Sequence, residues 1–144
     1  MLKMANFKMS DFQKVADRKI KPPPCDDTMQ ITVHESFDGI AYGTWKVDRK
    51  YINGIGVAMG GFLSSAADIM MAYAISSKLT DQYGFASINL DTTFHRPVVE
   101  GEVDITARVE RLGRTLAYVV SELKQNNKIA ATCISSILIK KLEE

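Results

Sequence analysis

The chain has 144 residues, a hydrophobic fraction of 46% and a formal net charge of +1, which is enough apolar material for one compact core and argues against several domains. Lys and Arg are scattered rather than clustered, so there is no electrostatic footprint for nucleic acid or a membrane surface. The first residues carry no continuous apolar run of signal-peptide type. Cys25 and Cys133 are single and far apart, so neither a disulfide framework nor a zinc site is indicated, and a reduced cytoplasmic compartment is expected.

Ser10 with Gln13 has the form of a capping box, and Phe12, Val15, Ala16 and Ile20 follow at helical spacing, which predicts an amphipathic helix over about residues 10 to 20. "KPPPCDD" stops it, because three successive prolines enforce an extended connection. Residues 1–24 are accordingly expected as an N-terminal helix and linker, and 25–144 as the single main domain. "MQITVHES" alternates Ile31 and Val33 with polar neighbours, and "IAYGTWKVD" is rich in strand formers, so two strands come first.

The stretch "NGIGVAMGGFLSSAADIMMAY" then reads as a helix entered through paired glycines. Between Met59 and Ser77 its only charged side chain is Asp68, so the helix has no solvated face and is expected to be enclosed by protein. Asp68, the glycines and the serines interrupt it as a membrane span. After it the chain turns wholly to strands. "ASINLDTTFHRP" alternates with Ser87, Asn89, Asp91, Thr93 and His95 on one face and Ile88, Leu90, Thr92 and Phe94 on the other. "VDITARVERLG", "RTLAYVVSEL" and "KIAATCISSILIKKL" bring the strands after the helix to four. The physical solution is a curved antiparallel sheet wrapped around one helix. One flank stays uncovered, because Gly61, Ser65, Asp68 and Ala72 form a stripe of mostly small residues, where a second subunit could pack.

The helix, with "SINLDTTFHRPVVEGEVDITARVERLGRTLAYVVSEL" after it, resembles the hotdog-fold acyl-CoA thioesterases of the phenylacetate-pathway (PaaI-like) type. The likeness covers roughly residues 30 to 140. The family pattern of Asn, Gly, paired Gly, acid and then Ser falls on Asn53, Gly56, Gly60 and Gly61, Asp68 and Ser87, with "FHRP" following. Met59 departs from it, standing where the family usually has histidine. The resemblance implies an α+β hotdog fold, a homodimer or dimer of dimers, an acyl-CoA substrate, and no metal or cofactor. It also implies a pocket between two subunits, with Asn53 and Gly60 from one and Asp68 and Ser87 from the other.

A thioester needs its carbonyl polarised and a water delivered to the carbonyl carbon. The free N–H groups and positive dipole end of the helix favour the developing oxyanion, which makes the Gly60 N–H the candidate donor. Asn53 would hold substrate or water, Asp68 would act as general base or as nucleophile, and Ser87 would position the water. Met59, Gly61 and Ser65 are candidate substrate contacts, and Arg96 and Arg114, with Arg111, are candidates for the phosphates of coenzyme A. His34 and His95 show no ligand spacing and read as surface or structural.

Bland roles compete at each position. Asp68 could be a structural carboxylate bonded to Ser64, Ser65 or backbone, and Asn53–Gly54 is common turn chemistry. A hotdog dehydratase would want a histidine in the helix, and there is none. A binding protein that kept the pocket and lost turnover is the rival that Met59 favours, and a purely structural dimer module would show neither ligand nor thiol release.

Overall fold

The computed structural model describes residues 7–143; the first six residues of the N-terminal segment lie outside the described part. A short helix α1 (Met9–Ala16) and a single-turn helix α2 (Pro24–Met29) precede strands β1 (Ile31–Phe37) and β2 (Ile40–Val47). The long helix α3 (Gly60–Ser76) follows, and then β3 (Tyr83–Ser87), β4 (Asp91–Phe94), β5 (Gly101–Leu112), β6 (Leu116–Gln125) and β7 (Lys128–Lys141). The strands form one antiparallel sheet in the order β1-β2-β5-β6-β7-β3, with β4 also paired to β7.

Alternation decides which strand residues face the helix. Val103, Ile105 and Ala107 of β5, Val119 and Leu123 of β6, and Ala131, Cys133 and Ile137 of β7 are buried against it, as period-2 patterning requires of a sheet covered on one face. From α3, Leu63, Ala66, Ala67, Met70, Met71, Ala74 and Ile75 complete the core. Gly43 of β2 lets the helix lie close: a side-chain carbon there would stand 2.2 Å from Met70 Cε and 2.6 Å from the Thr32 carbonyl oxygen, so only glycine fits.

Three local expectations need correction. Helix α1 starts at Met9 and stops at Ala16 rather than near residue 20. Its cap is Lys8, whose N–H donates to Asp11, while Ser10 instead donates through both N–H and Oγ to Asp81. The proline run does not stay extended: Pro24 occupies the first helical position of α2, where its missing donor costs nothing. The boundary drawn between residues 24 and 25 therefore falls inside α2, and Val15 and Ala16 from the N-terminal side belong to the common core.

The third correction matters most for the site. The single strand expected over 86–97 is two strands, because Ser87 pairs with Ile137 while Asp91 pairs with Ile134, which sets three residues opposite two. Asn89 holds this bulge. Its side-chain oxygen accepts from the Ser136 N–H at 2.8 Å and its carbonyl from Ser135 Oγ at 2.8 Å. The extra residue inverts the alternation, so Thr92 and Phe94 face α3 on the same side as Ser87, not on the opposite one.

Helix α3 is also not enclosed on all sides. Gly61, Ser65 and Asp68 are exposed and Ala72 is half-buried, so the stripe read from the sequence is the open flank of the lone chain.

Candidate active site

Met59 is the N-cap of α3, in extended conformation, and its side chain makes no capping bond. The N–H groups of Gly60 and Gly61 at the start of the helix have no partner among the described residues, as the geometry of a helix N-terminus dictates, and they are available to an acceptor. A groove of about 410 Å³ opens beside them, lined by Asn53, Val57, Gly60, Leu63, Phe94 and Arg96 among others. Three of the expected site residues, Asn53, Gly60 and Arg96, thus meet in one place.

Asn53 is largely committed to its own loop. Its side-chain oxygen accepts from Ile55 N–H at 3.0 Å and from Val57 N–H at 3.3 Å, an Asx-type turn. What it can offer a ligand is its NH₂ group. Arg96 donates to the Ile129 carbonyl at 2.7 Å, which ties the guanidinium to the groove rim. Arg114 lies in the β5–β6 turn, and the groove adjoins the opposite, Gly101 end of β5. Within one chain the structure therefore does not bring Arg114 to the groove.

The second cluster lies further along α3. Ser87 Oγ donates to Asp68 Oδ1 across 3.4 Å, a long hydrogen bond of the kind that tightens when substrate is bound. Asp68 is exposed on the open flank, yet the helix and strand atoms around its carboxylate desolvate it and push its titration above the ordinary carboxylate range, opposed by the Ser87 hydroxyl. That is the direction a general base working near neutrality requires. Among the alternative structural partners, Ser65 instead donates to the Gly61 carbonyl at 2.9 Å, and Ser64 bonds Thr92 at 2.7 Å. Asp68 is thus not consumed by its own helix.

Sequence reading did not connect Ser64, Thr92 and Cys133, which the structure links by hydrogen bonds. Thr92 Oγ1 donates to Cys133 Sγ at 3.3 Å, so Ser64 must supply the proton of its bond with Thr92. The Cys133 thiol is raised in pKa first by burial and also by the negative charges of Asp68 and Asp91. His34 bonds Thr44 at 3.0 Å away from these clusters, whereas His95, which bonds Thr132 at 2.8 Å, also lines the groove. Among the described residues no group of His, Cys, Asp and Glu is placed to hold a metal ion, and no helix is long and apolar enough to cross a membrane.

Comparison with known proteins gives this geometry a context. The thioesterase superfamily model matches residues 55–130, which include Gly60, Asp68 and Ser87. The Caenorhabditis elegans protein F42H10.6, which bears an esterase name, is 32% identical over 82 residues, 56% of this chain and 48% of its own length. The chain thus spans about half of that relative. Among solved structures, a phenylacetic acid degradation-related protein of Ralstonia eutropha JMP134 superposes with a TM-score of 0.82 at 26% identity, covering 88% of this chain and 98% of that one. The E. coli PaaI protein, at 24% identity and a TM-score of 0.75, covers 90% of this chain and 94% of its own and shares the fold.

Proposed function

The chain belongs to the thioesterase superfamily, and from that premise we propose that it hydrolyses an acyl-CoA thioester to the free acid and coenzyme A. The observation that carries the reading is the division of the site along α3. Gly60 and Asp68 are eight positions apart, which is about 12 Å of helix rise. A base so distant cannot act on a carbonyl held at the Gly60 N–H of its own chain. The open flank carrying Asp68 supports a homodimer in which the groove of one subunit receives Asp68 and Ser87 of the other, and this packing can repeat as a dimer of dimers.

In that site the thioester oxygen accepts from the Gly60 N–H. Asp68 takes a proton from a water held with Ser87 Oγ, and the resulting hydroxide attacks the carbonyl carbon. The oxyanion formed is stabilised by the backbone donor and the helix end. When it collapses, the carbon–sulfur bond breaks and the carboxyl of Asp68 returns its proton to the departing sulfur. No metal or cofactor enters. Arg96 at the groove rim would meet a phosphate of coenzyme A, and Met59, Gly61 and Ser65 would contact substrate at the start of the helix. Arg114 would contact substrate only from a partner subunit.

Met59 favours the one rival reading, a protein that binds acyl-CoA without turnover, since its half-exposed thioether offers no imidazole at the helix entrance. A thiol-release screen across acyl-CoA chain lengths separates the two. Release of coenzyme A supports the hydrolase, and binding without release supports the rival.

A further inference from the structure

Gln125 is the last residue of β6, and nothing in the reaction outlined above uses its side chain. That side chain treats Val99 as a strand partner would. Its Oε1 accepts from the Val99 N–H at 3.0 Å and its Nε2 donates to the Val99 carbonyl at 2.7 Å. Val99 is 46% exposed and lies between β4 and β5, in a segment that belongs to no strand, so one amide closes an edge that would otherwise face water.

The Val99 N–H is part of the same peptide unit as the Val98 carbonyl, and that carbonyl accepts from the Ala58 N–H at 2.8 Å. A peptide unit is planar and turns as a whole. Gln125 on one side and Ala58 on the other therefore hold a single plane, and turning it breaks both bonds. Val98 is buried, which fixes its side chain but not the plane of the peptide that follows. Ala58 stands two residues before Gly60. On its other edge the Met59 N–H donates to the Tyr51 carbonyl at 2.9 Å, and the Asn53 N–H to the Val57 carbonyl at 2.8 Å. The entrance to α3 is thus held between residues 51–53, which are local in sequence, and the Val98–Val99 peptide, which is not. Pro97 and Val98 also line the groove beside Gly60.

We propose that Gln125 is a positioning residue for the Gly60 N–H, locking the Val98–Val99 peptide and through it the entrance to α3. The proposal rests on the hydrolase reading for the use made of that donor. An oxyanion donor has to be aimed before the charge develops, and a displacement of about 1 Å costs about a hundredfold in rate. Without Gln125 the Val99 N–H turns to water, and the bond from Ala58 to the same peptide loses the polarisation that a continuous chain of hydrogen bonds supplies.

The test uses Gln125→Ala and Gln125→Met, the second keeping the length of the side chain without its donor or acceptor. Each is made alone and together with Gly60→Pro. Turnover of acyl-CoA is followed by thiol release, and amide hydrogen exchange is followed by NMR in the single variants. Both single variants should lose about tenfold or more in kcat/KM. In the Gly60→Pro background, where the donor is already gone, the same changes should cost no more than about twofold. The Ala58 amide should exchange about tenfold faster or more, with the Ile105 amide in β5 unchanged. A general loss of stability would lower the rate equally in both backgrounds, and that result overturns the proposal. So does a Gln125→Met protein that behaves as wild type, or an Ala58 amide whose protection is unchanged. A faster Ala58 amide in a protein whose wild type releases no thiol overturns the hydrolase reading and leaves Gln125 as the anchor of the helix entrance.

Discussion

Ser87 Oγ lies 3.4 Å from Asp68 Oδ1, although the two residues are on different elements and Asp68 faces solvent in the lone chain. The serine hydroxyl donates to the carboxylate, so its oxygen lone pairs stay free to accept from a water beside the proposed base. In the proposed reaction this is the pair that would hold the water.

Substituting Asp68→Asn should lower hydrolysis by about a hundredfold or more, since the amide keeps the shape but takes no proton. The wild-type rate should rise with pH through an inflection above the ordinary carboxylate value, because desolvation raises Asp68 and only the ionised form is a base. The variant should lack that inflection while its circular dichroism stays native. Near-normal turnover by the folded variant would return Asp68 to a structural role.

Gly60→Pro removes the proposed oxyanion donor with little change in backbone. Proline suits the first helical position, and Met59 already has the extended conformation that a residue before proline needs. A loss of about a hundredfold to a thousandfold is expected. Gly60→Ala, which crowds Phe94 in the same way but keeps its N–H, should lose far less. If the site is shared between subunits, unfolding and refolding equal amounts of Gly60→Pro and Asp68→Asn together gives mixed dimers with one intact site each. Such mixtures should regain about a quarter of the wild-type rate. Mixed dimers confirmed by mass spectrometry that remain inactive would defeat the shared-site argument, as would a stable, active monomer in sedimentation.

Met59→His should raise turnover by no more than a few-fold, because the proposed polarising group is a backbone N–H that no side chain at position 59 supplies. If the natural protein binds acyl-CoA and releases no thiol, whereas the histidine variant hydrolyses it, the binding-protein reading replaces the hydrolase.

Asp26 gives a separate prediction about stability. It is 2% exposed and accepts a short hydrogen bond of 2.5 Å from Tyr73 Oη. Burial raises its carboxyl above the ordinary value, with the Tyr73 bond opposing. The folded state therefore holds a proton that the unfolded chain has already released, and stability falls as pH rises from the ordinary carboxylate value through the raised one. Asp26→Asn keeps an acceptor for Tyr73 and has no such slope, so it should gain on the wild type across that window in urea unfolding. Asp26→Ala leaves the Tyr73 hydroxyl unpaired and should cost about 1–3 kcal/mol. A difference between wild type and Asp26→Asn that is flat with pH would show that the proton stays off in the folded state.

What could be read from the sequence followed from period and charge. The alternation of β5 and the apolar run of α3 needed no tertiary information, and a lone carboxylate in an uncharged helix marked Asp68 before any neighbour was known. Other features left no such trace. Pro24 reads as a breaker unless it is known to open a helix, and the Asn53 side-chain oxygen is consumed by a turn that its dipeptide only allows. The segment around Asn89 alternates cleanly through its bulge, because polar and apolar residues happen to continue in step. Thr92 and Phe94 were consequently separated from Ser87, and the side they share with it was hidden. The distance of Arg114 from the groove depends on where β5 ends in space, which no local pattern reports.

The bulge at residues 88–90 also constrains how this chain can change in length. Three residues there span two on β7, so the count is odd where a regular ladder would be matched. Losing or gaining one residue changes its parity, and Thr92 and Phe94 then turn outward together while Thr93 turns in, with Ser87 unmoved. Losing or gaining two restores the arrangement at the expense only of the Asn89 contacts. Homologous chains and engineered loops at this point should therefore differ by even numbers of residues, and single-residue indels should appear only where the Gly60 end of the helix has also been rebuilt.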